Sequence, residues 1–178
     1  MTDDLVAWAE QVAREQLREL PRRLRHVEGV ARQAERIADV VDDPPLLIAA
    51  AWLHDVGYAP GIAATGFHPV DGATFLEAQG APPRLCALVA NHSCAHVEAR
   101  YRHVRLPWPD EHTALRDALW WADMTTTPTG GTTDARRRLA EVRERYGPDH
   151  VVTRSVTEAE PELLGAVDRA EALRPAAR

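Results

Sequence analysis

Histidines and aspartates stand at the ends of apolar segments of this chain, where an unpaired charge would be costly. The clearest case is LLIAAAWLHDVGYAP, residues 46–60, in which eight uncharged residues precede His54 and Asp55. Burying a carboxylate without a partner costs many kcal/mol. Asp55 therefore needs a compensating partner, and backbone N–H groups, an arginine or a metal ion could each serve.

A second apolar run, in DALWWADMTTTP, ends at Asp123. Two inward carboxylates near each other would repel, and one of them would take up a proton. A divalent cation between them would remove this conflict. His26 lies on the edge of the apolar face of RLRHVEGVARQAERIADVV and is predicted to point inward. A core-edge histidine that bonds a carbonyl is the commoner alternative for such a residue.

Two more histidines mark the edges of predicted elements. His68 opens HPVDGATFL, and His92 lies near the end of LCALVANHS. His96 follows His92 by four residues and would share its face if the helix continued. Imidazole and carboxylate ligands without thiolate favour iron, manganese, cobalt, nickel or zinc. Six such ligands exceed what one open catalytic metal takes, and they fit two metals that share a carboxylate. The candidate metal ligands are His26, His54, Asp55, His68, His92 and Asp123.

The segments that must position these residues are mostly amphipathic at helical spacing, which predicts an all-α fold. Residues 45–56 are apolar nearly all round and predict a central, buried helix. Residues 97–109 predict an irregular connection, and DHVVTRSV alone looks strand-like. We expect one compact domain over residues 1–178, with a core at about 24–127 and a helical extension at about 130–178. That extension could cover the site, pack on the N-terminal helix or form a homodimer contact.

Composition narrows the function classes. Of 178 residues, 45% are hydrophobic and 27% are charged, the net charge is −6, and no apolar run has membrane-spanning length. The N-terminus lacks a secretory layout, so we expect a cytoplasmic protein without a membrane partner. All 21 basic residues are arginine, which excludes a Schiff-base or P-loop lysine. They are not concentrated in one stripe, so no nucleic acid polymer is expected, and DARRRLAEVRER predicts a solvated helix face.

In order and spacing, these residues resemble the HD-domain metal-dependent phosphohydrolases, whose pattern is H…HD…D. RHVEGVA supplies His26, WLHDVGY supplies His54 and Asp55, and WADMTTTP supplies Asp123. Members with two metals add two histidines, for which His68 and His92 occupy suitable places. The resemblance implies that Asp55 bridges two divalent transition metals. His26 and Asp123 would complete one site, and the two added histidines the other.

The resemblance also implies a reaction. A metal-activated hydroxide would attack the phosphorus of a small phosphorylated substrate, such as a nucleotide or related metabolite. Some two-metal relatives are instead di-iron oxygenases that act on a small polyol or an organophosphonate, and the same ligands would serve them. A regulatory or binding module that keeps the metal for stability is a third alternative.

One departure from the family pattern concerns the proton donor. Many relatives carry a lysine shortly after the His-Asp doublet, where this chain has Tyr58. Candidates for protonating the leaving oxygen are His96, Asp71 and Tyr58. Three arginines flank the predicted site segments and are candidates for holding phosphate: Arg84, Arg100 and Arg102.

Overall fold

The computed structural model describes residues 2–174, and within them the chain folds into nine α-helices. These are α1 (Thr2–Gln16), α2 (Pro21–Ile37), α3 (Pro44–Leu53), α4 (His68–Ala78), α5 (Pro83–Asn91), α6 (Ala95–Arg102), α7 (Ala114–Met124), α8 (Ala135–Tyr146) and α9 (Val151–Leu173). Single 3-10 turns occupy Ala38–Val40, Val56–Tyr58 and His92–Cys94. Among these residues the only β pairing is one isolated bridge between Thr126 and Thr132. The all-α prediction is confirmed.

Helix α3 is the central helix, as predicted. Its start is fixed by Asp43, whose side chain accepts a hydrogen bond from the Leu46 N–H, and by Pro44 in the first turn. Seven of its ten residues are buried, because α1, α2, α5 and α7 all pack around it. The helix ends at Leu53, so the chain is already turning at His54 and Asp55.

The last two helices pack on the same apolar core as the rest. Helix α9 lies against α6, α7 and α8, and Leu139, Leu163 and Ala166 join the core that surrounds α3. Residues of α8 and α9 also line a cavity at the histidine and aspartate cluster. Helices α8 and α9 thus cover the cluster, which is one of the arrangements considered for this part of the chain; residues 175–178 lie outside the described residues.

Two local predictions were wrong. The segment read as a strand begins α9 at Val151. Within that segment Ser155 is satisfied in the helix, because its buried hydroxyl donates to the carbonyls of Val151 and Val152, four and three residues earlier. The connection expected over residues 97–109 is irregular only after Arg102, where α6 ends. No helix within residues 2–174 is both long enough and apolar enough to cross a membrane.

Candidate metal centre

The six predicted ligands form two groups that meet at Asp55. Within each group the potential ligand atoms lie within 4.8 Å of one another, and the groups are His26–His54–Asp123 and Asp55–His68–His92. Asp55 Oδ2 faces the first group, 3.4 Å from His54 Nε2 and 3.8 Å from His26 Nε2. Asp55 Oδ1 faces the second, 3.3 Å from His68 Nε2 and 3.8 Å from His92 Nε2. The carboxylate therefore has one oxygen directed at each group.

Backbone carbonyls fix the orientation of three of the four imidazoles. Nδ1 lies 3.0 Å from Thr127 O in His26, 2.7 Å from Ala51 O in His54 and 2.6 Å from Val89 O in His92. A carbonyl oxygen can only accept, so Nδ1 carries a proton in each of these rings, and Nε2 is the nitrogen left facing the centre, where it can bind a metal once the ring is neutral. Histidines that bind metals are commonly held in this way.

The inward nitrogens face other acceptors. His26 Nε2 is 3.1 Å from Asp123 Oδ1, and two acceptors at this distance need a proton or a cation between them. His54 Nε2 is buried and has no hydrogen-bond partner within the described chain, although Asp55 Oδ2 is 3.4 Å away. The donor set of imidazole and carboxylate, with an unsatisfied buried nitrogen, fits a divalent transition metal.

Electrostatics keep both carboxylates ionised without a metal ion. Burial opposes ionisation of Asp55 and Asp123, but neighbouring cations and hydrogen bonds hold the pKa of each well below its usual range. Burial lowers the pKa of His54, yet the charges of Asp55 and Asp123 raise it overall to about 8. Burial and the charges of His68 and His54 lower the pKa of His92 to about 3. A proton on His54 thus offsets part of the negative charge.

Arg23 is a further partner of Asp55 that the sequence analysis missed. Its Nη1 donates to Asp55 Oδ2 at 2.6 Å, and its guanidinium lies 4.0 Å from the centre of the Tyr58 ring. Tyr58 in turn stacks on His68 at 3.9 Å. The arginine alternative raised from sequence is therefore realised at one oxygen of Asp55, alongside the histidines. The available signal was spacing, because Arg23 precedes His26 by three residues on one helix.

A break between α5 and α6 separates His92 from His96. Ser93 and Cys94 have φ values of +50° and +59°, which non-glycine residues rarely adopt. Ser93 Oγ donates to Asp123 Oδ2 at 2.5 Å, so the break itself contributes to the centre. The shared face expected for the two histidines does not form. His96 Nε2 instead lies 3.5 Å from Glu162, with its side chain 42% exposed.

The other candidates from sequence contact partners away from the ligands. Asp71 accepts hydrogen bonds from the N–H groups of Ala64 and Thr65 and from Thr65 Oγ1, and so holds the loop before α4. The three arginines pair with acidic side chains outside both ligand groups: Arg84 with Glu111 and Asp42, Arg100 with Glu158, and Arg102 with Glu98. Of the non-ligand candidates, only Tyr58 lines the cavity at the centre.

Two neighbouring cavities border the centre. The inner cavity, about 110 Å³, is bordered by both ligand groups and by side chains of α8 and α9, among them Arg138 and Tyr146. The outer cavity, about 430 Å³, lies between the α1–α2 turn and Pro128. Both are lined by the same four side chains: Arg23, His26, Tyr58 and Arg145. These residues therefore lie at the border between the two spaces.

Comparison with protein families agrees with the centre. The family model for the HD domain matches residues 23–170, most of the 178-residue chain and all six predicted ligands. No significant match occurs among curated proteins or among solved structures. The matched segment also includes all of α8 and most of α9. The chain therefore belongs to the HD-domain family, the superfamily of metal-dependent phosphohydrolases that its sequence resembles.

Proposed function

We propose that this protein is a metal-dependent phosphohydrolase that cleaves a phosphate ester of a small nucleotide or related metabolite. The observation that carries the proposal is the position of Asp55, with one oxygen directed at each of two histidine-containing groups. Two metal ions sharing a carboxylate are a recurring arrangement for phosphoryl chemistry. The family match supports the same class of reaction.

The chain would hold one ion with His26, His54, Asp123 and Asp55, and a second with Asp55, His68 and His92. Divalent ions bound there would lower the pKa of a water molecule and offset negative charge on the phosphoryl oxygens. The carbonyl bonds to Nδ1 keep three imidazoles in place before any ion arrives. Ser93 does the same for Asp123, which limits the reorganisation that binding requires.

Tyr58 is the group that we assign to the leaving oxygen. Burial and the charge of Asp55 raise the pKa of its hydroxyl, so Tyr58 keeps its proton at neutral pH and can donate a hydrogen bond to the leaving oxygen. It lines both cavities. Asp71 is a poorer donor because its carboxylate already accepts several hydrogen bonds, and His96 lines neither cavity.

Cavity size favours a small substrate. The inner space of about 110 Å³ is well below the ~300 Å³ at which pockets for drug-sized ligands begin. It suits a phosphoryl group, and the outer space of about 430 Å³ suits the organic part. A net charge of −6 argues against a nucleic acid polymer as substrate.

The test is ester hydrolysis by metal-depleted protein reloaded with Mn²⁺, under anaerobic conditions, followed as phosphate release from a panel of monoesters and as alcohol release from a panel of diesters. We expect release from at least one small ester and its loss in Asp123→Asn. The control is Asp168→Asn, a matching change at an exposed position of α9, which should leave release unchanged.

Two outcomes would contradict the proposal. Iron-dependent oxygen consumption without phosphate release would assign the centre to an oxygenase. Unfolding on metal removal, with no turnover of any ester by loaded protein, would assign it to a module that binds metal for stability.

A further inference from the structure

Helix α8 places one buried arginine beside two exposed ones. Arg136 and Arg137 face solvent, whereas Arg138 is 6% exposed and lines the inner cavity. The prediction of a solvated face was therefore wrong at this position. Arg138 falls in the buried stripe with Leu139 and Val142, at helical spacing.

The Arg138 guanidinium is only partly satisfied within the protein. One of its terminal nitrogens, Nη1, donates to Glu141 on the same helix. Its Nε is buried and has no hydrogen-bond partner in the part of the chain that the structure describes. An unsatisfied buried donor of a charged group is costly, so a partner in the adjoining cavity is the physical expectation.

Two other guanidinium groups border the same cavity. Arg145 lies seven residues after Arg138 and so projects from the same face of α8, and Arg23 projects from α2. Arg145 also lines the outer cavity. Three arginines from two helices thus surround the space next to the predicted ligands.

The net charge around the inner cavity favours binding of an anion once metal ions are present. The three guanidinium groups carry three positive charges. Three carboxylates oppose them: Asp55, which accepts from Arg23, Glu141, which accepts from Arg138, and Asp123 of the predicted metal ligands. Glu98 also lines the cavity, but it is paired with Arg102. Histidines that bind a metal are neutral, so in the metal-loaded protein these side-chain charges balance, and each divalent ion bound at the centre would leave the cavity positive and in need of a counter-charge.

We infer that Arg138 and Arg145 of α8, with Arg23 of α2, form an oxyanion subsite for the terminal phosphoryl group of a small phosphate monoester. The inference rests on the proposed function and narrows its substrate class. Guanidinium forks match pairs of phosphoryl oxygens, and this chain has no lysine to take that place. A dianionic terminal phosphoryl group fits the small inner cavity, whereas a diester carries less charge and a substituent on both sides of phosphorus.

The test measures anion binding directly. Titration calorimetry with inorganic phosphate on Mn²⁺-loaded protein compares wild type, Arg138→Gln and Arg137→Gln, the last being 85% exposed on the same helix. We expect the Kd for phosphate to rise by about tenfold or more in Arg138→Gln and to change by less than about twofold in Arg137→Gln. Dimethyl phosphate should bind wild type more weakly than inorganic phosphate does.

Two further measurements keep the test decisive. Circular dichroism and metal content should match wild type in Arg138→Gln, which shows that neither unfolding nor metal loss causes the weaker binding. If that variant does not fold, Arg145→Gln replaces it with the same expectation, because the Arg145 side chain is 29% exposed.

Failure of this inference differs from failure of the proposed function. Equal phosphate affinity in Arg138→Gln and Arg137→Gln, with equal metal content, would overturn the subsite even if wild type hydrolyses an ester. Phosphate binding that depends on Arg138, in a protein that hydrolyses no ester, would uphold the subsite and reject the hydrolase.

Discussion

Replacing Gly57 by alanine should damage both the fold and one half of the centre. Gly57 lies in the turn Val56–Tyr58, directly after Asp55. A Cβ at this position would lie 2.0 Å from the carbonyl oxygen of His68 and 2.6 Å from the backbone nitrogen of Gly72. Both atoms belong to the backbone of α4, so no side-chain rotation can make room. Helix α4 must therefore move by about 1 Å or more to bring the closest contact to 3.0 Å.

The magnitude follows from this overlap. Overpacking costs about 1–3 kcal/mol, and the upper end applies because both close contacts are with backbone atoms of α4, which cannot rotate away. For a protein of this size each kcal/mol lowers Tm by about 2–4 °C, so we expect a fall of about 6–12 °C. The shift of α4 carries His68 with it, which should reduce bound metal from two ions per chain towards one.

The assay is thermal unfolding of metal-depleted protein, followed by metal analysis after reloading. The control is Gly61→Ala, because a Cβ there has no atom within 4 Å. An alanine at position 57 that changes Tm by less than about 1 °C and keeps two ions per chain would refute the proposed packing of this turn against α4.

Three other outcomes are expected. In metal-depleted protein, the pKa of His54 is raised from an ordinary 6.5 to about 8. Its protonation therefore stabilises the fold fully below pH 6.5, and this stabilisation is lost as pH rises through 8. In the presence of a chelator, Tm should fall over this pH window, and His54→Gln should remove that fall. Tyr58→Phe should lower kcat for an alkyl phosphate ester by about 10²–10⁴-fold with metal content unchanged. The loss should be smaller for a nitrophenyl ester, because nitrophenolate leaves without needing a proton. An equal loss for both esters would remove Tyr58 as donor. Asp71→Asn should destabilise the fold by about 1–3 kcal/mol in chemical denaturation, because two backbone N–H groups lose a charged acceptor; unchanged stability with lost turnover would instead assign Asp71 to catalysis.

Much of the fold was predictable because its signals are local. The start of α3 follows from an acidic cap before two prolines, and its burial follows from a run without polar side chains. Its end at Leu53 places His54 and Asp55 where a buried helix turns. By contrast, the prediction that His68 and His92 bind a metal depended on the family resemblance. The sequence around either residue alone is equally typical of an ordinary histidine at the edge of a helix.

The rest depends on contacts between distant parts of the chain. Arg138 lies within the charged run DARRRLAEVRER, and only the packing of α8 across the centre decides that it is buried. The left-handed residues Ser93 and Cys94 carry no glycine signal, so the sequence favours a continuous helix there. Their conformation is held by tertiary contacts such as the bond from Ser93 to Asp123, which lies thirty residues away.

The most direct measurement of the central claim is anomalous scattering from crystals of Zn²⁺-loaded protein, recorded at the zinc edge. The predicted result is density for one ion in each ligand group, with Nε2 of His54 and of His92 about 2.0–2.1 Å from the respective ions. Density only at surface side chains, or none beside Asp55 in protein that turns over substrate, would contradict the assignment of this cluster as a metal centre.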